Sequence, residues 1–255
     1  MTPRDWNAAS YHQVSTPHQD WGRAVLDRLE LRGEETVLDL GCGTGRITRA
    51  LLERLPAGRV VAVDGSAAMV ERARAELAGA GTRATVIQSD LVALDLAAHP
   101  DVPRPADAAI STATFHWIAD HDALFRRVHT ALRPGGQFVA QCGGEGNVAS
   151  VVAAVARLSE REPFAPYLGG WAGPWNYASA EATRARLEAA GFAVGDCWLQ
   201  PWPVEVEDRH EFYATVVLGS HLERLPADLH DDFVAQVAAD SELDYVRLNL
   251  VARRA

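Results

Sequence analysis

An α/β fold with a doubly wound, mostly parallel sheet of seven strands is predicted by three features of the sequence. Short β-branched runs alternate with helical patterns as far as residue 142, the spacing of βαβ units. Glycines and acids recur where those runs end. After Gly143 the alternation gives way to helical stretches and then one last strand-like run. The expected architecture adds an N-terminal helical segment and a helical cap in the C-terminal half.

"DWGRAVLDRLEL" (20–31) reads as a helix with Val25, Leu26 and Leu29 inward. "TVLDL" (36–40) is a buried strand, with further strands at 58–64, 84–90, 107–112 and 136–142. Between them Ile47, Leu51 and Leu55 share one helical face, as do Leu124, Val128 and Leu132. "RPGG" (133–136) reads as the stop that feeds the fifth strand. Past Gly143, "VASVVAAVARL" (148–158) is a helix, and 162–179 is an irregular aromatic stretch. Ser179 caps a helix that Gly191 ends. Residues 192–206 are extended but interrupted by prolines, as in a bent or edge strand. Helical stretches near 208–220 and 226–239 precede a final strand that alternates Val246, Leu248 and Leu250 with polar neighbours.

The formal net charge of −10 argues against nucleic acid as a partner, because the arginines are scattered among acids. All 24 basic residues are arginine, which excludes Schiff-base and P-loop lysine chemistry. Cys42, Cys142 and Cys197 have no metal-ligand or disulfide-framework spacing, so no metal site is expected and all three read as small buried hydrophobes. Neither a membrane-spanning run nor a signal peptide is legible, so a cytoplasmic location and no membrane partner are expected.

"VLDLGCGTG" (37–45) carries the strongest signal. A strand ends at Leu40, glycines free the backbone, and a helix begins near Arg46. A Rossmann dinucleotide turn would read G-x-G-x-x-G around a pyrophosphate. The G-x-G-x-G spacing here, with Asp39 ahead of it, suits an ammonium or sulfonium group better. Asp64 ends the second strand, where an acid accepts from ribose hydroxyls, and Asp90 ends the third, placed to accept from an adenine amino group.

"VLDLGCGTG", "VVAVDGSAAMV", "IQSDL" and "LRPGGQFV" resemble, in order and position, the class I S-adenosylmethionine-dependent methyltransferases over about residues 20–142. The resemblance implies a Rossmann-like core over 20–142, cap and substrate-side elements over 143–240 and a final strand over 243–254, in one domain spanning 1–255. It implies S-adenosylmethionine as cofactor, held by Tyr11, Asp39, Gly41, Cys42, Gly43, Asp64, Gly65, Met69, Asp90, Leu91 and Thr112. Gly41 and its neighbours would face the methionine moiety, Asp64 the ribose, Met69 an adenine face and Asp90 the adenine amino group.

The residues just past the fourth strand carry the acceptor signal. There is no [DN]-P-P-Y motif at 111–115, which disfavours nucleobase amino groups. "FHWIADHDALF" is instead similar to small-molecule carboxylate methyltransferases of the trans-aconitate, malonyl-carrier-protein and juvenile-hormone-acid types. That likeness implies a clamp of Trp117 with Gln19, or with Gln13 in its place, around the carboxylate of a small acid. His116 has two readings, a substrate contact or general base, and a structural residue. Asp120 and His121 read as helix caps, and His12 and His18 as solvent-exposed. Trp171, Trp175 and Tyr177 suit either a lid or the cap's own core. Arg184 or Arg186 would be a second-carboxylate anchor, against the solvated reading of helical arginines. The expected enzyme makes methyl esters as a monomer or homodimer. Two rivals stand beside it: O- or C-methylation of an apolar natural product with His116 as base, and a non-catalytic protein that binds the same cofactor.

Overall fold

Strands such as "TVLDL" and "RVVAVD" carry apolar side chains on both faces, which suits parallel strands covered by helices on each side. The computed structural model describes residues 16–102 and 105–255, with side chains from Trp21 onward. The strands are β1 (Thr36–Leu40), β2 (Arg59–Asp64), β3 (Ala84–Gln88), β4 (Ala106–Thr112), β5 (Leu132–Gly143), β6 (Phe192–Pro201) and β7 (Val246–Arg254). They form one seven-stranded sheet in the order β3-β2-β1-β4-β5-β7-β6. The pairings among β1 to β5 are parallel, and β7 lies antiparallel between β5 and β6. The sheet is therefore mixed. The chain leaves β6 at the edge where the parallel strands end, builds helices there and re-enters as β7 from that same edge.

Side chains alternate across β1. Val37 joins the core formed with α1 (Thr16–Leu26) and α2 (Arg46–Arg54), while Leu38 and Leu40 join the core on the opposite face. That second core contains Leu124, Phe125 and Val128 of α4 (His121–Ala131) and Leu187 of α7 (Ala180–Ala189). The helix α3 (Ala67–Glu76) lies beside β2 and β3. A third core unites Trp21 with α5 (Ala149–Ser159), α6 (Ala165–Leu168), the segment around Tyr213 and α10 (His230–Ala239).

Several local expectations need correction. The first helix ends at Leu26, and Leu29 is buried beyond it. "RPGG" lies inside β5, whose Leu132 already pairs with Ala106 before a register shift. The stretch near 208–220 is three pieces: α8 (Arg209–Phe212), a π-helical turn (Tyr213–Val217) and α9 (Gly219–Leu222). Residues 227–229 form a 3₁₀ turn before α10. Cys42 and Cys142 are buried as expected, whereas Cys197 is half-buried with its Sγ 3.3 Å from the Ala180 carbonyl.

Phe138 is fully buried, with ring centroids of Phe115, Phe125 and Phe192 at 6.0, 6.2 and 5.4 Å. Phe138→Ala is expected to lower the unfolding free energy by about 3–5 kcal/mol in urea titrations, because neighbouring rings from three elements cannot all collapse into the gap.

Candidate active site

The strand order reverses between β1 and β4, so their connections diverge and open a crevice at the carboxyl edge of the sheet. A cavity of about 620 Å³ fills it. One end is walled by the glycine turn after β1, the ends of β2 and β3, and Met69. Thr112, Ala113, Thr114, His116 and Trp117 form the middle. The far end is closed by Asn147, Val148, Trp171, Trp175, Tyr177, Val216, Tyr245 and Arg247.

At the glycine end, Gly41 has φ 81° and a Cβ there would fall 2.1 Å from Thr114 Oγ1, so no other residue fits. A Cβ on Gly43 would meet nothing within 4 Å: the turn leaves an open cradle on that side. The Gly43 N–H donates to Asp64 Oδ2 at 2.8 Å and the Ser66 N–H to Oδ1 at 2.9 Å. Asp64 is thus locked between two turns while it borders the cavity. Burial raises its pKa, and the N–H groups of Ser66, Gly43 and Gly65 pull it back. Asp90 Oδ1 accepts from Val92 N–H at 2.7 Å, which turns the chain at the end of β3.

Asp39 differs from expectation. It is fully buried and stands behind the glycine turn rather than on the cavity wall. Alternation along β1 puts it on the face of Val37, toward α2, where Thr48 Oγ1 donates to its Oδ2 at 2.6 Å. Its Oδ1 has no hydrogen-bond partner among the described residues. Burial pushes its pKa to about 7, with Thr48 opposing and the Asp64 charge adding to the rise. A buried acid with an unmet oxygen just behind an open glycine cradle fits a cationic ligand group in that cradle. With Asp64 and Asp90 along the same wall, the donors and acceptors fit S-adenosylmethionine.

In the middle of the cavity, Ala113 adopts φ 54°, a conformation that costs energy for any residue with a Cβ. Thr114 Oγ1 then donates toward the carbonyls of Thr112 and Gly41, at 3.0 and 3.2 Å. Phe115 to Trp117 form one 3₁₀ turn, with Phe115 driven into the core as its anchor. His116 Nδ1 accepts the Gly143 N–H at 3.2 Å, which places the ring proton on Nε2. Its ring stacks on Tyr177 at 5.9 Å and lies 5.0 Å from Trp117. Asp120 caps α4 by accepting the Ala123 N–H, whereas His121 holds the Phe115 carbonyl through Nε2 at 2.8 Å instead of capping.

The aromatic stretch is tied to this turn. Asn176 N–H donates to the His116 carbonyl at 2.8 Å, and its Nδ2 to Ile118 O at 2.9 Å and Ala119 O at 3.2 Å. Trp171 and Trp175 pack on the third core and border the cavity at once. The lid and core readings merge into a fixed wall.

The structure gathers Gly41, Cys42, Gly43, Asp64, Gly65, Met69, Asp90, Leu91, Thr112, His116 and Trp117 around one cavity. Tyr11, His12 and Gln13 lie outside the described residues, as do the side chains of His18 and Gln19, both on α1. Arg184 donates to the carbonyls of Val194 and Gly195, and Arg186 faces Asp122; neither borders the cavity. The cation that does border its far end from within the fold is Arg247, 1% exposed, with Nε donating to Gln141 Oε1 at 3.4 Å. Sequence reading missed it, although an arginine inside the alternating run "YVRLNL" was a usable signal.

The switch-point crevice and glycine turn define a nucleotide-cofactor enzyme of α/β architecture. Residues 37–136 match the family model described as a methyltransferase domain. A trans-aconitate 2-methyltransferase of Paracidovorax citrulli is 30% identical over 210 residues, 82% of this chain and 73% of that protein. One from Methylobacterium nodulans is 28% identical over 276 residues, 98% of each chain. A crystal structure of an S-adenosylmethionine-dependent methyltransferase from Mesorhizobium loti superposes with a TM-score of 0.56 at 25% identity, covering 91% of this chain and 96% of that one. The chain belongs to the class I S-adenosylmethionine-dependent methyltransferases, and S-adenosylmethionine is its cofactor.

Asp64→Ala is expected to weaken S-adenosylmethionine binding about a hundredfold by calorimetry, the worth of two charge-assisted hydrogen bonds. Asp39 yields a pH test. Its folded pKa is raised, so between the unfolded value near 4 and about 7 only the unfolded state gives up the proton, and stability falls as pH rises. Without ligand, Asp39→Asn should gain on wild type across that window by up to about 1.4 kcal/mol per pH unit in denaturant titrations.

Proposed function

We propose that the enzyme transfers the methyl group to a carboxylate of a small organic acid and forms a methyl ester. The observation that carries this reading is the hydrogen bond from the Gly143 N–H to His116 Nδ1. With Nδ1 accepting the Gly143 N–H, a neutral ring carries its proton on Nε2 and has no lone pair left for a general base. A carboxylate acceptor needs no base, since its pKa near 4 leaves it ionised at neutral pH. It needs neutral donors that orient it without blunting its nucleophilicity. The Trp117 indole N–H, the His116 Nε2–H and the Gln19 amide are such donors. The acid named for the relatives, trans-aconitate, is consistent with this.

In this reading Gly41, Cys42, Gly43 and Thr112 hold the methionine end of the cofactor, with Asp39 behind them. Asp64 and Gly65 hold the ribose, Met69, Asp90 and Leu91 the adenine, and Tyr11 is assigned to the cofactor with them. The cofactor supplies an electrophilic methyl on a sulfonium. The chain contributes alignment for in-line displacement and a wall of Trp171, Trp175 and Tyr177 that excludes water. We read the chain as one domain acting on a small molecule in the cytoplasm; no described helix is long and apolar enough to cross a membrane.

With methyl-labelled S-adenosylmethionine, the product should release label as methanol in mild alkali. Label that survives alkali would defeat the ester reading. The rate should be nearly flat between about pH 6 and 8, where a histidine base would impose a rise. His116→Gln, which keeps a donor, should retain at least about tenfold more activity than His116→Ala; equal loss would restore the base. Trp117→Ala should lower kcat/KM by about a hundredfold.

A further inference from the structure

Two backbone irregularities meet at the far end of the cavity. Val148 is the N-cap of α5 and adopts φ 45°, ψ 44°, in the left-handed region. A β-branched residue is costly in that region, and an N-cap favours serine, threonine, aspartate or asparagine. Valine meets neither preference, although Gly143, Gly144 and Gly146 stand in the same turn. Among the described residues, Ala113 and Val148 are the non-glycine residues with positive φ, and both line the cavity. The second irregularity is the π-helical turn Tyr213–Val217, which brings both Val216 and Val217 to the cavity.

Backbone strain persists only where the surroundings over-determine it. The Val148 N–H donates to the Asp244 carbonyl at 3.1 Å, and the Ser150 N–H donates to Asp244 Oδ2 at 3.2 Å. Asp244 thus supplies, from another segment, the cap that Val148 lacks. Asn147 Oδ1 accepts the Val246 N–H at 3.0 Å, and the Gly144 N–H donates to the Val246 carbonyl at 3.0 Å. The turn before α5 is therefore fastened to the start of β7, and Val148 is held there at 2% exposure.

Val148, Val216 and Val217 share one apolar core with Trp171 and Trp175, and all five border the cavity. The charged residues at this end are placed otherwise. Glu223 and Arg224 are exposed. Arg247 is 1% exposed, with its guanidinium over the Trp21 ring and its Nε on Gln141. A wall of branched aliphatic side chains and indoles recognises hydrocarbon, because it removes apolar surface from water. We propose that Val148, with Val216 and Val217, is the specificity-determining stop of the acceptor site: it seats the acceptor's hydrocarbon end and limits its length. The acceptor is then a monocarboxylate with an apolar tail, a class that rests on the ester reading.

The test supplies the full chain with methyl-labelled S-adenosylmethionine and even-numbered straight-chain alkanoates from butanoate to dodecanoate, beside trans-aconitate. Ester is counted as methanol released by mild alkali. In wild type, kcat/KM should rise about fourfold per methylene up to one optimal length and fall about tenfold or more beyond it. At the optimum it should exceed that of trans-aconitate by about tenfold or more. Val148→Ala removes two methyl groups and should move the optimum about two carbons longer, with butanoate kept within a few-fold. Val148→Thr keeps the shape but swaps a methyl for a hydroxyl, so the optimal length should stay while kcat/KM there falls about tenfold. Val216→Ala should shift the optimum in the same direction as Val148→Ala. S-adenosylmethionine affinity equal to wild type certifies each variant as folded. If Val148→Ala fails that check, the threonine and Val216 variants decide alone. An unmoved optimum, or an equal loss on every acid, overturns the stop and leaves the ester reading standing. A preference for trans-aconitate over every alkanoate overturns the hydrocarbon seat and also leaves that reading standing. No ester from any of these acids with the wild-type enzyme overturns both.

Discussion

The close approach of Gly41 and Thr114 is the constraint on which the site depends. Thr114 Oγ1 sits where a Gly41 Cβ would be, and it donates back to the Gly41 carbonyl. This contact joins the turn after β1 directly to the turn after β4, so the glycine end and the middle of the cavity share one packed contact. The strained φ at Ala113 is the local cost of bringing them together. In a reaction governed by alignment, rigidity between the two halves is worth more than any added catalytic group.

Charge is distributed to the same end. Acids cluster at the glycine end, with Asp39 and Asp64 both raised by burial and so poised to gain from a cationic ligand. The rings of His116 and Trp117 border the middle of the cavity. A buried cation, Arg247, lies at the far end. An acidic chain with net charge −10 thus separates its buried acids from this cation along one cavity.

The helical layer owes its place to topology. Leaving β5 and β6 at the carboxyl edge, the chain builds its third core directly over the crevice and returns as β7. Trp171 and Trp175 face both that core and the cavity, so packing and solvent exclusion are served by the same side chains. Asn176 secures the layer to the acceptor turn through three carbonyls.

What the chain declares locally was readable from it. A strand, a glycine turn and a helix within ten residues identify the cofactor end, since Gly41 to Gly45, Asp64 and Asp90 each sit at the end of their own strand. His116 and Trp117 were legible as cavity-lining residues for the same reason. Side-chain direction was less so: alternation turned Asp39 toward Thr48, and one backbone N–H 27 residues away settled the proton on His116. The run "YVRLNL" marks Arg247 as an arginine within a strand, but not what it faces. Its position on the cavity comes from pairing with Gly143 and from Gln141, 106 residues earlier. Register across an antiparallel pair is set by burial on both faces of the finished sheet, and no local pattern near Arg247 encodes which strand it will meet.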